Sequence, residues 1–468
     1  MSEPTDVLDR DDGPEEAEGA YALSPAMWER LTEAVDAGDA PAVADALEPL
    51  HPADIADLLE QLSDTQRARL LALWSERIDG EVLSELDEGL REAVIELLPR
   101  RVLSEAVREL DSDDVVDLVE NLEDDAQQEA ILASLDQADR AAVEEALSYP
   151  EGSAGRLMQR EVVRVPDFWS VGDTIDYLRE QKTALPEQFY HVILVDPRMK
   201  PVAYVSLGRL LSTPRASALT EITEDSFRVI PTAQAEEDVA YAFNQYHLIS
   251  APVVDEDGRL VGQITIDDAM IIQDEEAEED ILRLAGVGEE SSISDRVIGT
   301  TKLRLPWLGV NLITSILASL VIAQFEEAIT QIVALAVLMP IVASMGGNAG
   351  TQSLTVAVRA IATKDLTRSN LMRVVWREGA VGLINGVFFA VVMGVVGLIW
   401  FGSPALGMVI AAAMVVNLVV AGLAGVLIPV VLDRVGVDPA LASGAFVTTV
   451  TDVVGFFAFL GLAVVVLL

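Results

Sequence analysis

The chain has 468 residues, no cysteine, and a formal net charge of −45 from 76 acidic and 31 basic residues. The absence of cysteine excludes disulfide bonds and thiolate metal sites, and we expect so acidic a chain to have no nucleic-acid partner. The charge is uneven, because residues 1–296 hold 69 acidic and 23 basic residues, whereas residues 297–468 hold seven and eight. One part of the chain is therefore acidic and water-soluble, and the other is nearly uncharged and apolar.

The first 150 residues predict a tail followed by a helical domain. Residues 1–25 lack the apolar core of a secretory signal and are predicted to be a disordered acidic tail. Residues 26–150 contain a repeat, since "LHPADIADLLEQLSDTQRARLLALW" returns sixty residues later as "LDSDDVVDLVENLEDDAQQEAILASL". Apolar residues at helical spacing, with Asp or Ser caps, predict an all-α superhelical N-domain whose acids are mostly solvated helix faces.

Two further repeated units, residues 151–213 and 214–272, each give strand, helix, strand, acidic turn, strand and helix. This pattern resembles tandem CBS domains, which pair into one small α/β module. In that family a unit ends in G-x-x-T-x-x-D, and Gly262, Thr265 and Asp268 match this motif. The resemblance implies that Thr265 and Asp268 hold an adenosine nucleotide; the alternative is a scaffold that only dimerises and regulates.

Residues 273–300 are predicted to form an acidic connecting helix before the membrane. Its carboxylates crowd at i, i+4 spacing, which is repulsive unless cations screen them. Carboxylate oxygens suit Mg²⁺, which keeps several of its waters, whereas a solvated helix face is the ordinary alternative. The acids that line the stretch from the end of the second CBS unit into this segment are Asp267, Asp268, Asp274, Glu275, Glu276, Glu278, Glu279 and Asp280.

Residues 301–468 contain five apolar runs long enough to cross a bilayer, which takes about 20 residues. If the acidic part is cytoplasmic, all eight basic residues of the apolar part also lie inside, as the positive-inside rule expects. We therefore predict a multi-pass protein of the cell membrane, in contact with lipid, with cytoplasmic N-terminal domains and an external C-terminus. The five runs lie near 305–325, 330–360, 374–402, 404–432 and 439–468.

Ionisable residues inside the apolar part are scarce, so each is informative. Asp452 lies about midway along the last run, and Thr448 and Thr449 precede it by four and three positions, which places the three on one helix face. A carboxylate within a membrane is by default part of an ion path or a proton relay, and the alternative is a structural hydrogen bond.

The segment "PIVASMGGNAGTQS" lies within the second run and also places polar side chains at membrane depth. It predicts a glycine-rich break whose backbone and polar side chains line a hydrated path. Asn385 and Asn417, in other runs, are expected either to face this path or to make interhelical hydrogen bonds. The candidate pore-lining residues of the segment are Gly347, Asn348, Thr351 and Gln352.

Four motifs together carry a family resemblance. "PIVASMGGNAGTQS", "DPALASGAFVTTVTDVVG", "YPEGSAGRLM" and the acidic connector resemble the MgtE family of magnesium channels over about residues 30–468. The resemblance implies a homodimer around a central cation pore, and it places the family's pore-lining carboxylate on Asp452. The family commonly has proline where this chain has Ala445. The resemblance implies Mg²⁺-sensing acids among Asp111, Asp114, Asp268, Glu275, Glu276, Glu279 and Asp280.

The sequence thus predicts a channel that imports Mg²⁺ passively, driven by the membrane potential, and closes when its cytoplasmic domains bind Mg²⁺. It is not expected to be an enzyme, because it shows no nucleophile–base pair and no His-rich metal site, and the lack of a Walker A motif argues against coupling to nucleotide hydrolysis. The alternatives are a sodium- or proton-coupled divalent cation transporter and a non-conducting, CBS-regulated membrane scaffold. The excess of acids, with only four Lys among the basic residues, is an expected feature of a protein from a salt-rich cytoplasm.

Overall fold

The computed structural model describes residues 25–122, 124–181, 185–186, 188–287 and 297–468. These residues form two compact units, one ending at Gln273 and the other beginning at Asp274. Residues 1–24 of the predicted tail and residues 288–296 of the predicted connecting segment lie outside the described residues.

The first unit begins with a series of short helices, and Asp side chains cap many of their N-termini. Asp39, Asp79, Asp87, Asp124 and Asp136 each accept a hydrogen bond from a backbone N–H of the first turn that follows. Such caps satisfy N–H groups that have no partner within the helix. The helices are α1 (Pro25–Ala37), α2 (Ala40–Leu47), α3 (Pro52–Gln61), α4 (Asp64–Trp74), α5 (Gly80–Ser84), α6 (Glu88–Leu97), α7 (Arg100–Val107), α8 (Ser112–Glu120), α9 (Asp125–Leu132) and α10 (Gln137–Ala146), with a 3₁₀ turn at Ser75–Arg77.

The repeat seen in the sequence is also a repeat of packing. In α3, the buried apolar residues are Ile55, Ala56, Leu58 and Leu59. Both copies contribute to one apolar core, which extends from Leu31 to Ala146 and confirms the predicted all-α N-domain. The buried counterparts in α8, each sixty residues later, are Val115, Val116, Leu118 and Val119.

The rest of the first unit contains two three-stranded sheets of the same topology. In each sheet the first strand pairs parallel to the second, and the second pairs antiparallel to the third. The two central strands are buried along their whole length, which explains their nearly continuous apolar sequences. This repeated α/β unit is the predicted tandem CBS module. Its elements are α11 (Ala154–Leu157), β1 (Arg164–Pro166), α12 (Val171–Glu180), β2 (His191–Val195), β3 (Pro201–Ser206), α13 (Leu207–Ser212), a 3₁₀ turn at Leu219–Glu221, β4 (Ile230–Pro231), α14 (Glu236–Tyr246), β5 (Ser250–Val254) and β6 (Leu260–Thr265).

The motif "YPEGSAGRLM" joins the helical domain to the second sheet rather than to the first. The backbone N–H of Ala154 donates to the carbonyl of Gln234 at 2.8 Å, and that of Gly155 donates to the carbonyl of Thr232 at 2.9 Å. Ala154 and Met158 are fully buried in the same apolar core as β4, α14 and β5. The chain leaving α10 is therefore anchored on the second CBS sheet.

Among the described residues of the second unit, five helices are long and apolar enough to cross a membrane, as predicted. The described part of the first already includes Val297, ahead of the predicted 305, because its first turns are polar and an apolar pattern marks only the part that meets lipid. A long helix follows β6 directly; its first residues belong to the first unit and its remaining residues to the second. The helices are α15 (Ile266–Ala285), α16 (Val297–Ala323), a short α17 (Glu326–Gln331), α18 (Ala334–Ala362), α19 (Leu371–Phe401), α20 (Pro404–Arg434) and α21 (Pro439–Leu467).

Glycines bring the membrane helices into backbone contact. A Cβ atom on Gly382 of α19 would lie 2.5 Å from the carbonyl oxygen of Leu418 in α20, and one on Gly422 of α20 would lie 2.8 Å from the carbonyl oxygen of Glu378. Any other residue at these positions would force the two helices apart. Such close packing replaces the hydrophobic driving force that helices in lipid lack.

Candidate ion pathway and cytosolic acidic cluster

The last membrane helix, α21, carries the candidate pore carboxylate. Asp438 caps this helix, accepting a hydrogen bond from the N–H of Ala440 at 2.6 Å. Thr448 and Thr449 donate their hydroxyl hydrogens to carbonyl oxygens one turn earlier in the same helix, at 2.9 and 2.6 Å. Asp452, on the same side of the helix, is half-buried. The oxygen lone pairs of both hydroxyls remain available to a cation or to its waters.

The glycine-rich segment of α18 crosses α21 next to this carboxylate. A Cβ atom on Gly350 would lie 2.5 Å from Cγ1 of Val447 and 3.5 Å from Cγ2 of Thr451, so only glycine allows the two helices to meet here. Thr451 directly precedes Asp452. The structure therefore brings the segment that contains Gly347 to Gln352 to the level of Asp452, which the sequence could not establish.

The predicted break in α18 is wrong. Helix α18 runs continuously from Ala334 to Ala362, so its backbone groups are used in helical hydrogen bonds and do not line a path. Each glycine inside a helix costs about 1 kcal/mol relative to alanine, so the presence of these glycines needs another explanation. Gly346 and Gly350 accommodate neighbouring helices, whereas a Cβ atom on Gly347 would meet nothing within 4 Å.

The polar side chains of α18 lie beside this open space. The hydroxyl of Thr351 donates to the carbonyl of Gly347 at 3.0 Å. Asn348, Thr351 and Gln352 are exposed in the single chain, on the side away from the buried Gly346 and Gly350. These side chains, rather than the backbone, are the groups of α18 that could contact a hydrated ion.

The two asparagines of the other spans behave differently. Asn417 is fully buried, and its side-chain N–H group donates to the carbonyl of Val342 at 2.8 Å. It fills the space left by Gly346 and Gly455, so it makes the interhelical hydrogen bond that was one of the two expectations. Asn385 is exposed and lines a cavity with Gln352.

The cytosolic acids gather where α8 and α15 begin. Burial, together with Asp268 and Asp111, raises the pKa of Asp114 to about 7. Burial also raises the pKa of Asp268 to about 6, even though Oδ2 of Asp268 accepts hydrogen bonds from the N–H and the hydroxyl of Thr265 at 3.1 and 2.6 Å. These shifts mean that the folded unit keeps these carboxylates away from water, and close to other acids, at a free-energy cost.

The sequence reasoning missed one member of this cluster, Asp113. Burial and then its neighbour Asp268 raise the pKa of Asp113 well above its ordinary value. The residue sixty positions earlier is Ala53, so the acid occurs in only one copy of the repeat. This difference between the copies is the sequence signal by which Asp113 could have been found.

Within the described residues, no three His, Cys, Asp or Glu side chains are placed to form a complete metal site. The acidic cluster is therefore a set of neighbouring charges rather than a preformed coordination sphere. A cation that keeps its water shell, as Mg²⁺ usually does, could bridge such carboxylates without direct ligation.

The acids of α15 that belong to the second unit lie on a helix tied to α21. The predicted sensing residues Glu275 and Glu276 precede Glu279 and Asp280 by one turn. Arg283 forms ion pairs with Glu279 and with Asp438, the residue that caps α21. The end of α15 is thus linked through one guanidinium to the start of the helix that carries Asp452.

We expect neutralisation of Asp113 to stabilise the first unit, as a separate soluble protein, above neutral pH. A carboxylate whose folded pKa is raised contributes stability that is fully present below its unfolded pKa, near 4, and lost as pH rises through the folded value. The first unit without Mg²⁺ should therefore melt at a lower temperature at pH 8 than at pH 5, and Asp113→Asn should reduce this difference by several degrees, at about 2–4 °C per 1 kcal/mol.

Thermal melting of both proteins across this pH range tests the effect. Asp125→Asn, at an exposed acid of the same domain, is the matched control and should leave the pH profile unchanged. Identical profiles for wild type and Asp113→Asn would contradict the clustering.

The fold and the candidate site together define a class of protein. The chain is an integral membrane protein with five apolar helices, and the last of them carries a half-buried carboxylate. A helical domain and paired CBS units, which are cytosolic, precede these helices. Family models agree with this class of protein. The model described as divalent cation transporter, MgtE, matches residues 339–462; that of the MgtE intracellular N domain matches residues 50–152; and that of the CBS domain matches residues 222–274.

Curated relatives extend the match to nearly the whole chain. The magnesium transporter MgtE of Thermus thermophilus is 33% identical over 440 residues, which cover 92% of this chain and 97% of the relative. The protein of the same name from Bacillus subtilis is 28% identical over 417 residues, covering 89% of this chain and 92% of the relative. A crystal structure of the cytosolic domain of the Mg²⁺ channel MgtE in complex with ATP has 32% identity and a TM-score of 0.49, covering 52% of this chain and 99% of that one. The chain belongs to the MgtE family, which confirms the resemblance.

Proposed function

We propose that this chain is a magnesium channel that admits Mg²⁺ passively and closes when Mg²⁺ binds its cytosolic domains. The observation that carries the proposal is Asp452, a carboxylate half-buried in a membrane-spanning helix, at the level where α18 presents its polar side chains. A carboxylate in this position costs free energy unless it meets a cation or water. Membership of a family whose curated relatives are magnesium transporters identifies Mg²⁺ as the substrate.

The membrane potential supplies enough driving force for import. A divalent cation entering an inside-negative cell gains roughly 4.6 kcal/mol per 100 mV. No coupled ion or hydrolysed nucleotide is needed for such flux. In the proposed homodimer, two Asp452 carboxylates, one from each subunit, attract a largely hydrated Mg²⁺ to the dimer axis.

The gate uses the cytosolic acids. Burial, and after it the neighbouring acids, raise the pKa values of Asp114 and Asp268, so charged carboxylates cost free energy in the folded cluster. Without Mg²⁺, we expect the mutual repulsion of these carboxylates to favour a spread arrangement. Mg²⁺ bound by these carboxylates, and by the sensing acids of α15, favours a compact arrangement that closes the pore. The ion acts through its higher affinity for the closed state. The orientation expected from the basic residues places these domains in the cytosol and the C-terminus outside.

An adenosine nucleotide at the second CBS domain is a second ligand in this proposal. Thr265 and Asp268 stand where the CBS motif places its polar contacts, and the hydrogen bonds from Thr265 fix the orientation of the Asp268 carboxylate. Asp268 also belongs to the acidic cluster. Nucleotide and Mg²⁺ would thus act on the same residue.

Uptake driven by potential alone tests the proposal. Liposomes containing the protein, with equal Na⁺ and pH on both sides, are given an inside-negative potassium diffusion potential. We expect Mg²⁺ uptake that increases with the potential and is unaffected when a Na⁺ or pH gradient is added. Uptake only in the presence of one of these gradients would favour a coupled transporter, and absence of uptake at any potential would favour the non-conducting scaffold; either result would overturn the proposal.

A further inference from the structure

Helix α19 carries a buried carboxylate, Glu378, to which neither the pore nor the acidic cluster assigns a role. Only 7% of this residue is exposed. Along α19, the other buried residues are small or apolar, so Glu378 is the one charged residue of that face. Ionisable residues at such positions are costly and are by default functional.

The carboxylate of Glu378 accepts hydrogen bonds from one residue of α18 and from one residue of its own helix, α19. Its Oε2 atom accepts a hydrogen bond from the hydroxyl of Ser353 in α18 at 3.0 Å. Its Oε1 atom accepts hydrogen bonds from Nη2 and Nε of Arg377 at 3.0 and 3.2 Å. The Glu378 side chain is only 10% exposed whereas that of Arg377 is 63% exposed, so the guanidinium approaches from the surface and compensates only part of the buried charge.

Two cavities, each partly open to the surface of the single chain, meet at this carboxylate. One, of about 160 Å³, is also lined by Asp365 and Arg377 at the end of the membrane unit that is expected to be cytoplasmic. The other, also of about 160 Å³, is also lined by Gln352, Ser353 and Asn385. A water occupies about 30 Å³ in the liquid, so each cavity has room for about five waters. Hydrated Mg²⁺ carries about six waters, and it would fit after exchanging one or two of them for protein oxygens.

The second cavity lies close to the level of Asp452. Ser353 follows Gly350 by three residues, which is about 4.5 Å of helix rise, and Gly350 packs against Thr451. Since α18 runs from here toward Arg359, Ser353 and Glu378 lie on the side of Asp452 that is expected to face the cytoplasm.

We propose that Glu378, Ser353, and the amide oxygens of Gln352 and Asn385 form a second cation site, which holds a partly hydrated Mg²⁺ on the cytoplasmic side of Asp452. This site rests on the proposed function, because it takes the same ion. Carboxylate, hydroxyl and amide oxygens are the ligands that Mg²⁺ accepts. Arg377 occupies the opposite oxygen of Glu378 and competes with the ion, so the site binds Mg²⁺ weakly enough to release it.

Because Arg377 and Mg²⁺ compete for Glu378, substitutions of Glu378 and of Arg377 should change the affinity for Mg²⁺ in opposite directions. The measurement is the Mg²⁺ concentration that half-saturates uptake into liposomes containing the full-length protein. Glu378→Gln keeps the size of the side chain and removes its charge, so it should raise this concentration about tenfold, as expected for the loss of about 1.4 kcal/mol of binding. Arg377→Gln removes the competing charge and should lower the half-saturating concentration.

A purely structural ion pair would behave differently, because the loss of either partner would then have the same effect. Arg377→Gln changes an exposed side chain, so it remains informative if Glu378→Gln does not fold; size-exclusion profiles and melting temperatures check folding. An unchanged or raised half-saturating concentration in Arg377→Gln would overturn the site. If wild-type liposomes take up no Mg²⁺, the proposed function falls together with this site; if they do and both variants match wild type, only the site falls.

Discussion

Replacing Asp452 with Asn is expected to abolish Mg²⁺ conduction while the protein remains folded. The substitution keeps the shape of a half-buried side chain and removes its charge. Two unit charges about 4 Å apart attract by about 4 kcal/mol at an effective dielectric constant near 20, so occupancy of the pore by the ion should fall on the order of 10³-fold. Mg²⁺ uptake into liposomes at a fixed potential measures the loss.

The matched control is Asp433→Asn, the same substitution at an exposed residue near the end of α20. It should conduct as wild type does. Normal uptake by a folded Asp452→Asn protein would remove Asp452 from the ion path and, with it, the observation on which the proposed function depends.

Neutralising Asp111, Asp114 and Asp268 together is expected to leave the channel open at millimolar Mg²⁺. Moving a two-state gate from 1:99 to 99:1 takes about 5.5 kcal/mol of differential binding, whereas one solvated ion pair contributes at most about 1 kcal/mol. Several sites must therefore act together. Each single Asp→Asn substitution should shift closure only to modestly higher Mg²⁺, and the triple variant should lose closure over the whole range. The measurement is the cytosolic Mg²⁺ concentration that halves the flux.

A second triple variant controls for the change in net charge. It carries Asp→Asn at Asp45, Asp57 and Asp125, which are exposed acids of the N-terminal helical domain. This variant should close as wild type does. If both triple variants close normally, Mg²⁺ sensing lies elsewhere. If both stay open, net charge rather than the acidic cluster controls the gate.

Local patterns predicted much of the fold. The five membrane helices follow from apolar length, the helical domain from its sixty-residue repeat, and the caps of its helices from single Asp residues such as Asp39 and Asp136. Each of these features depends on residues that are near one another in the chain. Periodicity and capping chemistry therefore suffice to recognise them.

The polar residues of the membrane unit were less predictable because their roles depend on helix packing. The glycines near position 350 look the same in the sequence whether a helix breaks or packs closely; only contact with Val447 and Asn417 decides for packing. The role of Asn417 likewise depends on a carbonyl 75 residues away. Glu378 was counted among the acids of the apolar part, but its burial and its cavities appear only when α18 and α19 are placed side by side.

The acidic cluster shows the same limit. Asp113 and Asp268 are separated by most of the first unit in sequence, and neither carries a local signal of proximity. Arg283 could not be linked to Asp438 from the sequence, because their ion pair requires the end of α15 to lie against the start of α21. Pairing between distant charges is set by the tertiary fold.

The most direct measurement is of Mg²⁺ currents through single proteins in giant liposomes, with Mg²⁺ as the only permeant cation. A channel whose ion path includes Asp452 should give unitary current steps that reverse at the Mg²⁺ equilibrium potential, cease at millimolar cytosolic Mg²⁺, and vanish in Asp452→Asn. Mg²⁺ transport without current steps, or a reversal potential that follows an imposed Na⁺ or pH gradient, would contradict a passive magnesium channel.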